Sequence, residues 1–569
     1  MKNYIKLISV FIFLTGVISS CSDSYLDEAP LDRFSPENFL ENEAGYDAAI
    51  VGLYQAAREE HQIASNNFEY MSVGTDLAQW GRNDSRGLKD YSLLNSNYSA
   101  AIIYWDWAYK EMLVRTNLVL EGIDNPALDM TDAVRNNIKG QALFFRAYTY
   151  NFLTNIYGQV PIIDSRLTEP KFDFVRTSRE AVLRFAASDL EEATQLLAMD
   201  VDDGRIPRAA AYHLLSEVYI SLGLETGDNS FYDQSITAAG KVISKEAGDY
   251  EIMMSRFGPA SAEPGDVFSD VFAQGQINKS SGNKEVMWAW QFESFTPGGG
   301  NDSNRGNGGP RYWGTEYDKI TTPNGFKNTP ADTIIRGIGV NSPTNYVKYD
   351  IWKLDPNDMR NSKYNIRRTF YYNNADDPEY FGKEIKAARG EDGNLYVAEN
   401  DGTITTQLLD TLREYYPWIR KIDGAPWNDD VASGNSSKDF SRMRVAETYL
   451  LRAEAYFRKG NLDAAALDIN VVRARANAIQ ISGSDVTEDF ILDERTRELI
   501  VEEPRVRTLI RMGRLVDRVR TYNSAPSVIG GVSSGTTIQD HNKYWPIPQK
   551  VIDANVGADF GQNDGYPGG

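Results

Sequence analysis

The pattern that most constrains this chain is a helix carrying a small residue three positions before a tyrosine. Three helix pairs share it, Ala147–Tyr150, Ser216–Tyr219 and Ala453–Tyr456. Residues three apart share a helix face, so the small residue lets a neighbouring helix approach and the tyrosine fills the space beside it. After the third copy, Gly460-Asn461 predicts a turn and Ala464-Ala465 open a second helix. That unit reads as a tetratricopeptide-like hairpin of about 34 residues. The first two copies are degenerate, and "GLETGDNSF" lengthens the turn of the second. Such hairpins cannot bury their faces alone and must stack. Segments far apart in sequence are therefore expected side by side in one helical layer, closed by both ends of the chain.

The chain of 569 residues divides by texture. Residues 1–20 order a basic start, "MKNYIK", before the apolar run "LISVFIFLTGVI" and then "ISSC". The run is about a dozen residues, short of the ~20 that span a bilayer. It looks like a bacterial lipoprotein signal, with Ser19 and Ser20 fitting a narrow peptidase site and Cys21 as the thiol that takes the lipid. The competing reading is an ordinary signal peptide with a chance cysteine, but Cys21 is the only cysteine in the chain. Residues 21–34 read as a polar tether. A helical region spans 35–249, starting at "SPEN" with an N-cap and a Pro in the first turn. Residues 250–439 are dense in Gly, Asn, Asp and Pro, with short β-like runs such as "EVMWAWQF". Residues 440–569 read as a C-terminal helical region: helical periodicity returns from Phe440 to Val519, and the tail is punctuated by Pro. Residues 35–569 are expected to form one compact unit. The fold class is mainly α: helical hairpins supporting an irregular, loop-rich lobe with short strands.

Charge and residue counts exclude several functions. A net charge of −21 repels phosphate backbones, so nucleic acid is not an expected partner. One cysteine and three scattered histidines (His61, His213, His541) allow neither an internal disulfide nor a Cys/His zinc site. There is no phosphate-binding glycine loop, nucleophile elbow or HExxH. Eighty acidic residues make chance carboxylate pairs common, so counting alone does not remove a glycosidase pair. "LDPNDMR" lacks calcium-loop spacing and reads as a helix-start turn. No catalytic residue, metal ligand or cofactor is expected.

Five segments, taken together, resemble one family. They are "CSDSYLDEAPLDRFSPENF", "QALFFRAYTYNFLTNIYGQVPII", "ETYLLRAEAYFRKGNLDAAALDINVVRARA", "ERTRELIVEEPRVRTLIRMGRL" and "YWPIPQKVIDAN…FGQNDGY". They are similar to the lipidated start, signature helix, last hairpin, Arg-Glu-Leu block and closing motif of the SusD/RagB family of Bacteroidota surface lipoproteins. One departure is visible: Glu503 is followed by Pro504 where the family block usually has Gly, a difference expected to affect a turn only. The resemblance implies four tetratricopeptide-like hairpins supporting a loop-rich lobe. It implies capture of glycans, or in some members peptides, at the exterior of the outer membrane. It also implies a lipid anchor and a SusC-like TonB-dependent transporter as partner. The second reading is a lipid-anchored helical scaffold or peptide binder that takes no sugar; the aromatic, Gly/Asn-rich middle favours the glycan.

A pyranose has an apolar C–H face that stacks on Trp or Tyr, with polar side chains fixing its hydroxyls. Two polar loops offer such a set. One, "GTDLAQWGRNDSRG", holds Asp76, Trp80, Arg82 and Asn83; the other, "NGGPRYWGTEY", holds Arg311, Tyr312, Trp313 and Tyr317. Trp80 and Trp313 are the expected platforms; the competing role for each is to pin its loop to the body. Tyr371 and Tyr372 come next. Trp288, Trp290 and Phe292 alternate as on one face of a core strand, and Trp105 and Trp107 are expected to pack in a helix. The overall negative charge disfavours sulfated or uronic-acid polymers, unless a local pair of arginines overrides it.

Overall fold

The computed structural model describes residues 39–62, 71–82, 88–300, 305–524 and 532–569. The leader, Cys21, the tether, the helix start at Ser35 and Asn83 lie outside them. Helices α1 (Glu43–Gln62), α2 (Ser99–Asp106), α3 (Leu113–Gly122), α4 (Asp132–Tyr157), α5 (Arg179–Leu196), α6 (Arg208–Thr226) and α7 (Ser230–Ile243) form the first helical run. Strand β1 (Ala78–Trp80) lies between α1 and α2, and a π-helical turn at Trp107–Met112 joins α2 to α3.

Helix α4 is the axis of this run. Thr131 caps it by accepting from the Val134 amide, and Gly158 ends it at φ 74°. Its second half is buried on every side, the pattern of a helix surrounded by protein. The polar groups carried inside are paired: Arg146 forks onto Asp189 of α5 at 2.7 and 2.7 Å, and Thr149 donates to the Phe145 carbonyl.

The middle of the chain holds α8 (Val267–Val271), β2 (Val286–Trp290), α9 (Gly309–Trp313) and β3 (Asn341–Pro343), then the short strands β4 (Ile366–Arg367), β5 (Lys386–Arg389), β6 (Leu395–Ala398), β7 (Ile404–Leu408) and β8 (Trp418–Ile419). Strand β9 (Phe440–Arg444) leads into α10 (Val445–Arg458), α11 (Leu462–Arg475), α12 (Glu488–Leu499), α13 (Arg505–Arg511) and α14 (Leu515–Tyr522). Sheets are small: β1 pairs with β3, β2 with β9 and β4 with β8, and β5-β6-β7 is an antiparallel meander.

The helices stack as expected. Helix α4 packs on α5, α5 on α6 and α6 on α7; α10 then packs on α7, α11 and α12. Chain segments from the two ends thus share one layer. Each small residue lies at a helix contact. Ala147 and Ala453 are fully buried, and the Ser216 and Ser235 hydroxyls meet at 2.8 Å between α6 and α7. Gly460 (φ 75°) and Asn461, which caps α11 by accepting from the Ala464 amide, make the predicted turn.

Scaffold and lobe are joined through a buried ionic network. The Arg-Glu-Leu block supplies Glu494 and Glu498, which meet Arg360 of the lobe. Glu498 also accepts from Arg444 of β9 and Arg475 of α11, while Glu285, ahead of β2, accepts from the same two arginines. Burial alone would raise the Glu498 carboxyl; the surrounding guanidinium groups, Arg475 and Arg444 first, hold it well below the ordinary value. "LDPNDMR" is the helix-start turn expected, with Asp358 accepting from the Arg360 amide. Glu503-Pro504 forms the entry to α13, where Glu503 accepts from Arg495 and Arg505.

Candidate functional site

The two loops nominated from sequence serve the interior, and their rings present no free face. Strand β1 pairs with β3 in the register Ala78↔Pro343 and Trp80↔Asn341, which carries Trp80 into the main core at 4% exposure. A Cβ on Gly81 would meet the Gly339 carbonyl at 2.1 Å, so the backbones touch there. Asp76 is fully buried. Arg505 forks onto it at 2.8 and 2.7 Å, and Arg518 donates at 2.9 Å. Burial favours the neutral acid, but the two guanidiniums outweigh it and hold the carboxyl below its ordinary value.

In the second loop, Tyr312 and Trp313 sit on α9 at 6% and 1% exposure. The Tyr312 carbonyl accepts from the Val340 amide, and the Trp313 carbonyl accepts from the Tyr416 hydroxyl. The buried Tyr317 hydroxyl lies 2.7 Å from the Thr329 carbonyl and 2.9 Å from that of Ile334. The stacking role assigned to Trp80, Trp313, Tyr312 and Tyr317, and the sugar-binding role of Asp76, are thereby corrected: these groups anchor their loops. Arg82 and Arg311 stay partly exposed, with Arg311 donating to the Ser433 carbonyl at 2.5 Å. Of the reserve pair, Tyr371 is exposed and Tyr372 buried. Trp105, Trp107, Trp288, Trp290 and Phe292 are core residues, as expected. Strand β2 is buried on both faces, and its register shifts at Trp288.

The lobe holds a cleft of about 770 Å³, within the size range of small-ligand sites. Every residue lining it falls between Arg256 and Asp429, within the loop-rich middle. Its floor is organised by Asp423. One carboxylate oxygen accepts from the Trp418 indole at 2.7 Å; the other accepts from Arg420 at 2.9 Å and Arg367 at 3.3 Å. The Arg367 guanidinium lies 5.8 Å over the Trp418 ring. Lys438 holds this turn from below, donating to the Lys421 and Asp423 carbonyls at 2.6 and 2.7 Å. Burial pulls both lysine amines down to about 8.

Arg256 also lines the cleft, forked onto Asp270 of α8 at 2.9 and 2.7 Å. Tyr364, half-buried, is the least buried of the lining rings, since Phe272 and Trp418 are buried, and the Lys363 amine lies 5.2 Å over one of its faces. The rim carries Glu263, Asp332 and Asp429. Asp429 is set by two consecutive left-handed residues, Asn428 (φ 51°) and Asp429 (φ 60°), a conformation that Asn and Asp tolerate better than most. The Asn428 side chain accepts from the Phe295 amide at 3.0 Å, which fixes the turn.

Sequence reasoning singled out the loop-rich middle, where this cleft lies, but did not nominate these residues. The one signal was the density of charge and Trp in "WIRKIDGAPWNDD". Among the described residues no cluster of His, Cys, Asp and Glu is arranged to hold a metal ion, and no helix is long and apolar enough to cross a membrane.

Residues 275–566, more than half of the chain, match the model of the SusD family. The chain belongs to that family. Residues 24–220 match a second model, described as starch-binding associating with outer membrane. This SusD-family chain is 23% identical to the starch-binding protein SusD of Bacteroides thetaiotaomicron over 594 residues, covering 100% of this chain and 99% of that protein. Its fold is that of a SusD homolog from the same organism (TM-score 0.68, 18% identity, 94% of this chain and 99% of the other). It is also that of surface glycan-binding protein A from Bacteroides thetaiotaomicron in complex with laminarihexaose (TM-score 0.63, 22% identity, 92% and 99%). The helix-rich architecture with short strands is thus the SusD-like fold.

Proposed function

We propose that this SusD-family chain captures an oligo- or polysaccharide in the open cleft of its lobe, leaves it intact, and delivers it to a SusC-like TonB-dependent transporter. The observation that carries the reading is the cleft itself: an open volume whose floor holds Arg367, Arg420 and Trp418 in fixed geometry around Asp423. Fixed donors suit sugar hydroxyls because little side-chain freedom is lost on binding. Tyr364 supplies the stacking face. The starch-binding relative and the neighbour holding laminarihexaose support a glycan as the ligand class. Arg82 and Arg311, both partly exposed, are the members of the two nominated loops able to extend the contact surface.

The glycan is tested by affinity electrophoresis of the protein in laminarin and in soluble starch. Arg367→Ala and Tyr364→Ala should each weaken retention by about thirtyfold, the loss typical of a hot-spot side chain. Retention equal to wild type in both variants would remove the cleft from the account. Release of reducing ends by the pure protein would remove the non-enzymatic reading.

The placement at the membrane rests on the "ISSC" order. A lipid on Cys21 would tether the chain to the outer membrane, facing outward beside the transporter; stable anchoring takes more than one acyl chain. Cys21→Ser should move the protein to the soluble fraction, and persistence in salt-washed outer membrane would contradict the anchor.

A further inference from the structure

The charge arrangement of the cleft points to its ligand class. We infer that it takes uncharged sugars and rejects uronate- or sulfate-bearing ones; this rests on the cleft being the glycan site. The arginines that would override the protein's negative charge are present, but each is already held by a carboxylate of the chain. Arg256 is forked onto Asp270, Arg367 and Arg420 share Asp423, and the Lys421 amine is turned inward onto Glu502 at 2.5 Å. Arg367 and Arg420 have one carboxylate between them, so the floor carries a single excess positive charge.

The rim has the opposite character. Glu263, Asp332 and Asp429 are exposed, and their carboxylates make no ion pair or hydrogen bond among the described residues. An incoming anion therefore meets three uncompensated negative groups against a single excess positive charge on the floor, so the lining as a whole stays negative. A neutral hydroxyl does not meet that repulsion. It donates to the carboxylates and accepts from the remaining N–H groups of the forks, and the matched pairs stay intact.

Repulsion between exposed charges a few ångströms apart is modest for each pair, and salt screens it. Two or three such encounters amount to at least tenfold in affinity at low salt. The test uses the full-length protein in detergent, with laminarin and glycogen as neutral probes. Each is compared with its own C6-carboxylated form at low and physiological salt.

The neutral polymer should bind at least tenfold tighter than its carboxylated form, with the ratio shrinking as salt is raised. Glu263→Gln, Asp332→Asn and Asp429→Asn should each narrow the ratio, and all three together should narrow it most. Because three independent surface positions are used, a folding defect in one leaves the test standing. Equal binding of both forms, tighter binding of the carboxylated form, or a ratio indifferent to all three substitutions would overturn the inference while leaving glycan capture in place. Absence of binding to either neutral polymer would instead overturn the cleft reading, and this inference with it.

Discussion

Asp76 and Trp80 belong to a polar loop by sequence and to the interior by structure. What buries them is not local: β3 lies more than 250 residues on, and Arg505 and Arg518 arrive from the C-terminal helices. A loop rich in Gly, Asn and Arg looks solvent-exposed until those partners are known, so the sugar-facing role was the natural reading and the wrong one. Asp76→Ala should strand two buried guanidiniums and lower stability by about 3–5 kcal/mol in urea unfolding. Trp80→Ala should cost a similar amount by leaving a core cavity. Unchanged midpoints would return both residues to the surface. Asp439 makes a second test. It accepts from the Phe292 amide and from Asn278, and burial pushes its carboxyl up from 3.8 to about 6. The sign follows from linkage: below about pH 4 the acid is neutral folded and unfolded. Between pH 4 and 6 the unfolded chain ionises first, and stability is lost. The melting temperature of Asp439→Asn relative to wild type should therefore climb across that window and level off above it. A constant offset from pH 4 to 7 would contradict the assignment.

Helices were legible because their signal is local. Period, caps and the Gly460-Asn461 turn all lie within a few residues of the element they define, and α4, α6, α10 and α11 carry the predicted contacts. The strand in "EVMWAWQF" was legible as a strand, but its partner, Phe440–Arg444, was not, since pairing across some 150 residues leaves no mark in either segment. The hairpin register can be challenged at Ala453. It is fully buried within the cluster that includes Ile469 and Val472 of α11 and Ile491 of α12. Ala453→Leu overpacks that seam and should cost about 1–3 kcal/mol without changing helical content. An unaltered thermal midpoint would show that this face of α10 has room the packing does not allow.

At the scale of the molecule, one arrangement explains why scaffold and lobe act together. Glu494, Glu498 and Glu502 project from the Arg-Glu-Leu block into the base of the lobe, where they meet Arg360, Arg444 and Lys421. The turn after Lys421 carries Asp423, the organising group of the cleft floor, so the helical scaffold positions the site through buried charge. The lobe was readable as a loop-rich region from its composition. The cleft was not, because its walls come from four separated segments that only the fold assembles. The central claim is that a glycan occupies this cleft, and the most direct measurement is a crystal structure of the protein soaked with laminarihexaose or maltohexaose. The account predicts sugar density between Arg256 and Asp423, with a ring against Tyr364 and hydroxyls within hydrogen-bond distance of Arg367. Sugar bound elsewhere with the cleft empty, over exposed Tyr371 or beside Arg311, would contradict it.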